Sequence, residues 1–211
     1  DHPQLVGVLS DIASIYDRLT HYQRALELFL QAQAIAQNHP VGVAGDYVQL
    51  NIAETYFNLG QYDRAIDTYQ TLLRDIDGKG YHLIAGIAHV NLAKVLLTTG
   101  DMSNALNHCE AGWDIAAETN FPRLKMQGEL GFYMIEQTKG AHDKALERLQ
   151  NILALCNDYA QNEHKLPVLR AILGVQLQNG DTPAALDTYR QINEFIDTTL
   201  LGQMETRIAL L

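Results

Sequence analysis

The amino-acid sequence predicts an all-α protein, a solenoid of about five stacked helix pairs, from three observations. Written in rows of forty residues, the 211-residue chain aligns with itself without a gap. Four columns of that alignment stay in phase down the five rows. No segment alternates polar and apolar side chains for long enough to form a strand.

Each column has a physical cause. Gly60, Gly100, Gly140 and Gly180 share one column, headed by Thr20. Glycine there ends a helix at the position that needs a left-handed backbone. Asp101 and Asp181 follow two of these glycines and are placed to cap the next helix. Pro183 then falls in a first turn, where a missing N–H costs nothing. Ala25, Ala65, Ala105, Ala145 and Ala185 mark the closest approach of two helices. Leu26, Ile66, Leu106, Leu146 and Leu186 come next, then Phe29, Tyr69, Cys109, Leu149 and Tyr189, on one apolar stripe.

Each row is therefore a first helix, a tight turn, a second helix and a short connection. The first helices are expected near 4–19, 43–59, 82–99, 122–139 and 163–179, and the second near 22–37, 62–76, 102–118, 142–159 and 182–198. Row breaks fall at Asn38-His39-Pro40, Asp77-Gly78-Lys79-Gly80, Asn120-Phe121-Pro122 and Asn157-Asp158. The repeats run 4–40, 41–80, 81–120, 121–160 and 161–199, within a single superhelical domain over 1–211. In the remaining segment, Leu201, Met204, Ile208 and Leu211 have the spacing of an amphipathic helix. A helix over 200–211 is expected to pack on the fifth repeat as a cap, and to offer a route to self-association. The start, Asp1-His2-Pro3, has neither an initiator Met nor a signal peptide, so a piece of a larger protein is expected.

Bulk chemistry narrows the function. Apolar residues make up 47% and charged residues 19%, enough to bury a core and too apolar for disorder. The formal net charge of -10, with no basic run, repels phosphate backbones and an anionic membrane face. Nucleic acid and membrane partners are not expected. Cys109 and Cys156 stand alone in the sequence. Two buried thiols in a reducing, cytoplasmic setting is the first reading, and one disulfide in an exported protein is the second.

The run Leu59-Gly60-Gln61-Tyr62-Asp63-Arg64-Ala65-Ile66, followed by Tyr69, resembles the turn and second helix of the tetratricopeptide repeat. The resemblance extends over nearly the whole chain and implies a right-handed superhelix. Three features depart from the family pattern. The period is forty rather than thirty-four, the early Trp is absent, and Ala13, Ala53 and Ala93 replace a mid-helix Gly. Rows four and five put Tyr133 and Leu173 in that column, so their first helices are expected to pack differently. HEAT-type repeats share the period but leave the Gly and Ala columns unexplained.

Catalytic and metal motifs are missing. There is no G-x-S-x-G elbow, phosphate-cradling glycine loop or H-E-x-x-H. His82 and His89 lie about 10 Å apart along a helix. Adjacent residues such as His108, Cys109 and Glu110 point about 100° apart and cannot converge on one ion. No cofactor, metal or enzymatic activity is expected.

The informative face belongs to the first helices. Asp11, Asn51 and Asn91 share a column; Ser14, Glu54 and Lys94 follow three residues on; Arg18, Asn58, Thr98, Thr138 and Gln178 follow four further. These offsets define one helical face. By resemblance, that face lines a concave groove for a protein or peptide, its regular amides and charges placed to hold a backbone. Polar columns also describe an ordinary wetted surface. In rows four and five the face turns small or apolar, through Gly131, Met134, Ala171 and Gly174, which an exposed groove would need covered. The expected function is a protein- or peptide-binding module, the sensing or scaffolding part of a regulatory protein. A stand-alone receptor or adaptor is the alternative.

Overall fold

The computed structural model describes residues 2–39, 41–119, 121–159 and 162–209, with residues 162–163 and 200–209 described by their backbone alone. The helices are α1 (Leu5–Arg18), α2 (Tyr22–Asn38), α3 (Val43–Asn58), α4 (Tyr62–Ile76), α5 (His82–Thr99), α6 (Met102–Thr119), α7 (Pro122–Thr138), α8 (His142–Asp158), α9 (Asn162–Gln178) and α10 (Thr182–Ala209). No strand occurs among the described residues. The boundaries follow the forty-residue rows closely, and the fold class expected from the sequence stands.

The same turn closes each row. Thr20 has φ +62, and Gly60, Gly100, Gly140 and Gly180 have φ between +69 and +89. One residue on, the backbone N–H reaches back across the turn: His21 to the Tyr16 carbonyl, Gln61 to Tyr56, Asp101 to Leu96, Ala141 to Glu136 and Asp181 to Gln176. This pattern satisfies carbonyls that the helix end would otherwise leave unpaired. The expected caps are present too. Asp101 Oδ1 accepts the Asn104 N–H at 3.2 Å, and Asp181 Oδ1 accepts the Ala184 N–H at 3.1 Å.

The alanine column is core. Ala25, Ala65, Ala105, Ala145 and Ala185 are all buried, so each second helix lies too close to its neighbours for a larger side chain. Ala13, Ala53 and Ala93 are equally buried, whereas Tyr133 and Leu173 in the same column are half-buried.

The chain folds as two compact units, 1–131 and 132–211. In the first unit α1 packs on α2 and α3, α3 on α4 and α5, and α5 on α4 and α6. Enclosed on three sides, α5 is apolar nearly all round. Its 18 residues reach a mean hydropathy of 1.2, the length and composition of a membrane span. Ile84, Ala88, Leu92, Ala93 and Val95 are buried in the protein core instead. In the second unit α8 packs on α9 and α9 on α10.

The segment expected as a separate helix over 200–211 continues α10 without a break as far as Ala209. A continuous helix cannot fold back on its own earlier turns. The side chains of Leu201, Met204, Ile208 and Leu211 lie outside the described residues.

Candidate partner-binding face

The first helices of the first unit form a row, because α1 packs beside α3 and α3 beside α5. The face they share carries the polar columns. Asp11 and Arg18 on α1 are exposed, and Ser14 is half-buried with its hydroxyl donating to the Ser10 carbonyl at 2.8 Å. On α3, Asn51 is half-buried and Glu54 is open to solvent. On α5, Thr98 is exposed and its hydroxyl donates to the Lys94 carbonyl at 2.9 Å.

Two expected ligand residues are engaged by the fold. Asn58 Nδ2 donates to Asp17 Oδ1 at 3.4 Å, linking α3 to α1. The Thr55 hydroxyl reaches the same carboxylate at 3.5 Å and donates at 2.8 Å to the Asn51 carbonyl. Asn91 is hydrogen-bonded to the hydroxyl of buried Tyr69. Burial pushes the Tyr69 phenol up, and neighbouring Glu54 adds to that shift. A buried hydroxyl costs free energy unless paired, so Asn91 serves the core as well as the surface.

Glu54 has a particular environment. Its side chain touches solvent, yet the surrounding protein desolvates it and raises its pKa, with Lys94 and Arg123 pulling the other way and Asp17 adding to the rise. Water reaches the carboxylate while neighbouring protein partly desolvates it. Lys94 Nζ lies 4.3 Å from the centre of the Phe57 ring, a cation–π contact that fixes the ammonium beside α3. Arg123 is exposed on α7. The face thus carries Asp11 and Arg18 on α1, Glu54 on α3 and Lys94 on α5, with Arg123 on α7 near Glu54.

In the second unit, Met134 is half-buried on α7, Gln178 is exposed on α9, and Thr138 is exposed. Gly131, expected in an open groove, is buried instead: a Cβ there would lie 2.7 Å from Cys109 Sγ. The chain's own α6 covers it. Gly174 has open space around it. Cys109 and Cys156 are free and buried, and burial raises the Cys109 thiol to about 11.

A separate feature escaped the sequence reading. His89 on α5 and His108 on α6 bring their Nδ1 atoms to 2.8 Å, at the wall of an open cleft of about 780 Å³ between α4, α5 and α6. Burial first, and His108 second, hold His89 down to about 4; burial lowers His108 as well. One ring donates and the other accepts, which requires at least one neutral imidazole. The signal was in the rows: Leu9 with Leu28, Gln49 with Thr68 and His89 with His108 repeat one offset. Among the described residues no group of three metal-binding side chains converges.

Comparison with known proteins agrees with the geometry. Residues 47–116 match the tetratricopeptide repeat family. The chain is 26% identical over 161 residues to the Arabidopsis thaliana protein Kinesin Light Chain-Related 3, a match covering 73% of this chain and 24% of that protein. The chain therefore spans about a quarter of the length of the curated relative it matches. Among solved structures, a putative kinesin light chain with TPR-like repeats from Podosopora anserina superposes with TM-score 0.70 at 18% identity, over 95% of this chain and 98% of that one. A Rap protein complexed with competence and sporulation factor superposes with TM-score 0.82 at 10% identity, over 90% of this chain and 54% of that one. Residues 47–116 are thus similar to tetratricopeptide repeats, a repeat typical of protein-interaction modules, and the chain shares the fold of these TPR-like structures.

Proposed function

We propose that the chain holds a protein or peptide segment against the polar face of α1, α3 and α5, as the sensing or scaffolding part of a larger regulatory protein. It works by binding, not by turnover. The observation that carries this reading is the crowded, solvent-reached Glu54 beside Lys94 and Arg123. Opposite charges held on a partly desolvated face attract a segment that brings its own charges, and they fix its direction. The structural relative complexed with competence and sporulation factor supports the same use of the fold. The two buried thiols support a reducing, cytoplasmic compartment.

The test is selection from a random peptide library on the native chain, followed by titration of the selected peptides against Glu54→Lys and Lys94→Glu. Losing a charged hydrogen bond costs about 1.5–3 kcal/mol, so each swap should weaken binding by roughly 10- to 100-fold. Selected peptides that bind both variants as tightly as the native chain would place the ligand elsewhere.

A further inference from the structure

The cleft between α4, α5 and α6 is lined by none of the polar-column residues, and its volume of about 780 Å³ is that of a small-molecule site. Leu73, Ile76, Ala85 and Ile115 give it apolar surface. Half-buried in its wall, His89 and His108 meet head to head, with ring centroids 5.1 Å and Nδ1 atoms 2.8 Å apart. The shared Nδ1 proton leaves one Nε2 as a donor and the other as an acceptor. A proton added at the acceptor Nε2 makes the pair cationic and keeps the Nδ1 bridge. A second proton would set two N–H groups against each other and break it. The pair therefore accommodates one positive charge. Burial, with His108 second, keeps it neutral at pH 7 by holding His89 down to about 4. A neighbouring anion favours the charged form and opposes that penalty.

The rest of the wall suits an anion. Arg74 is exposed and gives one N–H to the Thr71 hydroxyl at 3.0 Å, which leaves most of its guanidinium donors for a ligand. At the start of α5, Tyr81 supplies no side-chain cap and the first turn holds no acidic residue. The first N–H groups of that helix and the positive end of its dipole thus open beside Gly80 and His82, which line the cleft. Asp77, also exposed, is the one carboxylate among the lining residues. Against it stand the guanidinium, the helix terminus, His82 and the pair. From α3, Asp46 sits by Lys79 and Asp75, and from α7, Arg123 sits by Glu54.

We propose that this cleft binds a small amphipathic oxyanion, a carboxylate or phosphoryl group on an apolar body, apart from the face that carries Glu54 and Lys94. The oxyanion meets Arg74, the start of α5 and the histidine pair, while the apolar body lies on Leu73, Ile76 and Ile115. Binding draws one proton onto the pair. The bound state then holds more protons than the free one, so affinity rises as pH falls.

The test is a chemical-shift titration of the isotopically labelled 211-residue chain with benzoate, phenyl phosphate and uncharged benzamide, at constant ionic strength and at about pH 6 and 8. Shifts at Gly78, Gly80, His82 and the two rings should saturate with an oxyanion and not with benzamide. At the higher pH, tighter binding of phenyl phosphate assigns a phosphoryl ligand, and tighter benzoate a carboxylate. Benzoate stays ionised throughout, so its affinity reads the proton. It should be tighter at the lower pH, by up to about a hundredfold for one whole proton over two pH units. Arg74→Gln should weaken benzoate roughly tenfold at both values. His89→Gln and His108→Gln, each verified as folded by circular dichroism, should lose the pH dependence. Equal saturation by benzamide, the mark of a merely apolar cleft, would overturn the proposal. So would no saturation by either oxyanion, undiminished binding to Arg74→Gln, or a pH dependence that is missing from the native chain or persists in both histidine variants.

Discussion

Replacing Gly112 with Ala sets helix propensity against packing at one atom. Gly112 is buried in α6 where that helix crosses α5, and a Cβ there would lie 2.7 Å from Val90 Cγ2 and 3.3 Å from the Gly86 carbonyl oxygen. Val90 is itself buried and, being β-branched in a helix, is held to one rotamer, so it cannot swing aside. Glycine to alanine inside a helix gains roughly 1 kcal/mol of propensity, and overpacking a filled core costs about 1–3 kcal/mol. The net is a loss of about 1 kcal/mol, a drop of roughly 2–4 °C in melting temperature for a chain of this size. Gly174 on α9 supplies the control, since nothing lies within 4 Å of its Cβ position. Gly174→Ala should therefore rise by about the propensity alone, roughly 2–4 °C. Thermal melts followed by circular dichroism read both. If Gly112→Ala melted as high as Gly174→Ala, α5 and α6 would not approach there, and the packing argument would fail.

Other outcomes follow from the same structure. Ala105→Leu should destabilise by about 1–3 kcal/mol, because the alanine column is fully buried; an unchanged denaturation midpoint would contradict that. Thr20→Gly should stabilise by about 0.5–1 kcal/mol, as relief of a left-handed threonine outweighs the added chain entropy; a lower melting temperature would refute it. His89 stays neutral in the fold down to about pH 4, while an unfolded imidazole binds its proton near 6.5. The unfolded state therefore holds more protons between those values. Stability present above about pH 6.5 is lost as pH falls toward 4, by about 1–2 kcal/mol after allowing for partial exposure. The pair of changes His89→Leu and His108→Leu should flatten that slope, and a persisting slope would assign it elsewhere. Asn58→Ala and Asn91→Ala should each lower the melting temperature, because Asp17 and the Tyr69 hydroxyl lose their partners, whereas Asn51→Ala should not; equal melts for all three would contradict the division between core and surface roles.

The fold was legible because its constraints recur. A left-handed turn residue, a crossing alanine and an apolar side chain four residues on are each demanded by local sterics, and forty-residue spacing repeats the demand in every row. Thr20 shows the strength of that column: the backbone turns left-handed there even without glycine. The candidate face was only partly legible. Spacing put Asn51, Glu54 and Asn91 on one helical side, but it could not show that Asn91 reaches down to Tyr69 or that Asn58 turns sideways to Asp17. Those bonds join different rows, and a helical wheel carries no information about the neighbouring helix. Gly131 failed for the same reason: its column says surface, and Cys109 on α6 makes it core. The histidine pair was hidden because each residue was weighed against neighbours on its own helix, while the contact crosses from α5 to α6.

The most direct measurement is chemical-shift mapping of the isotopically labelled chain titrated with a library-selected peptide. The side-chain amide of Asn51 and the backbone of α3 and α5 around Glu54 and Lys94 should move together and saturate with one affinity. Shifts confined instead to Gln70, Tyr81 and His82, along the cleft beside the histidine pair, would contradict a binding face on the first helices.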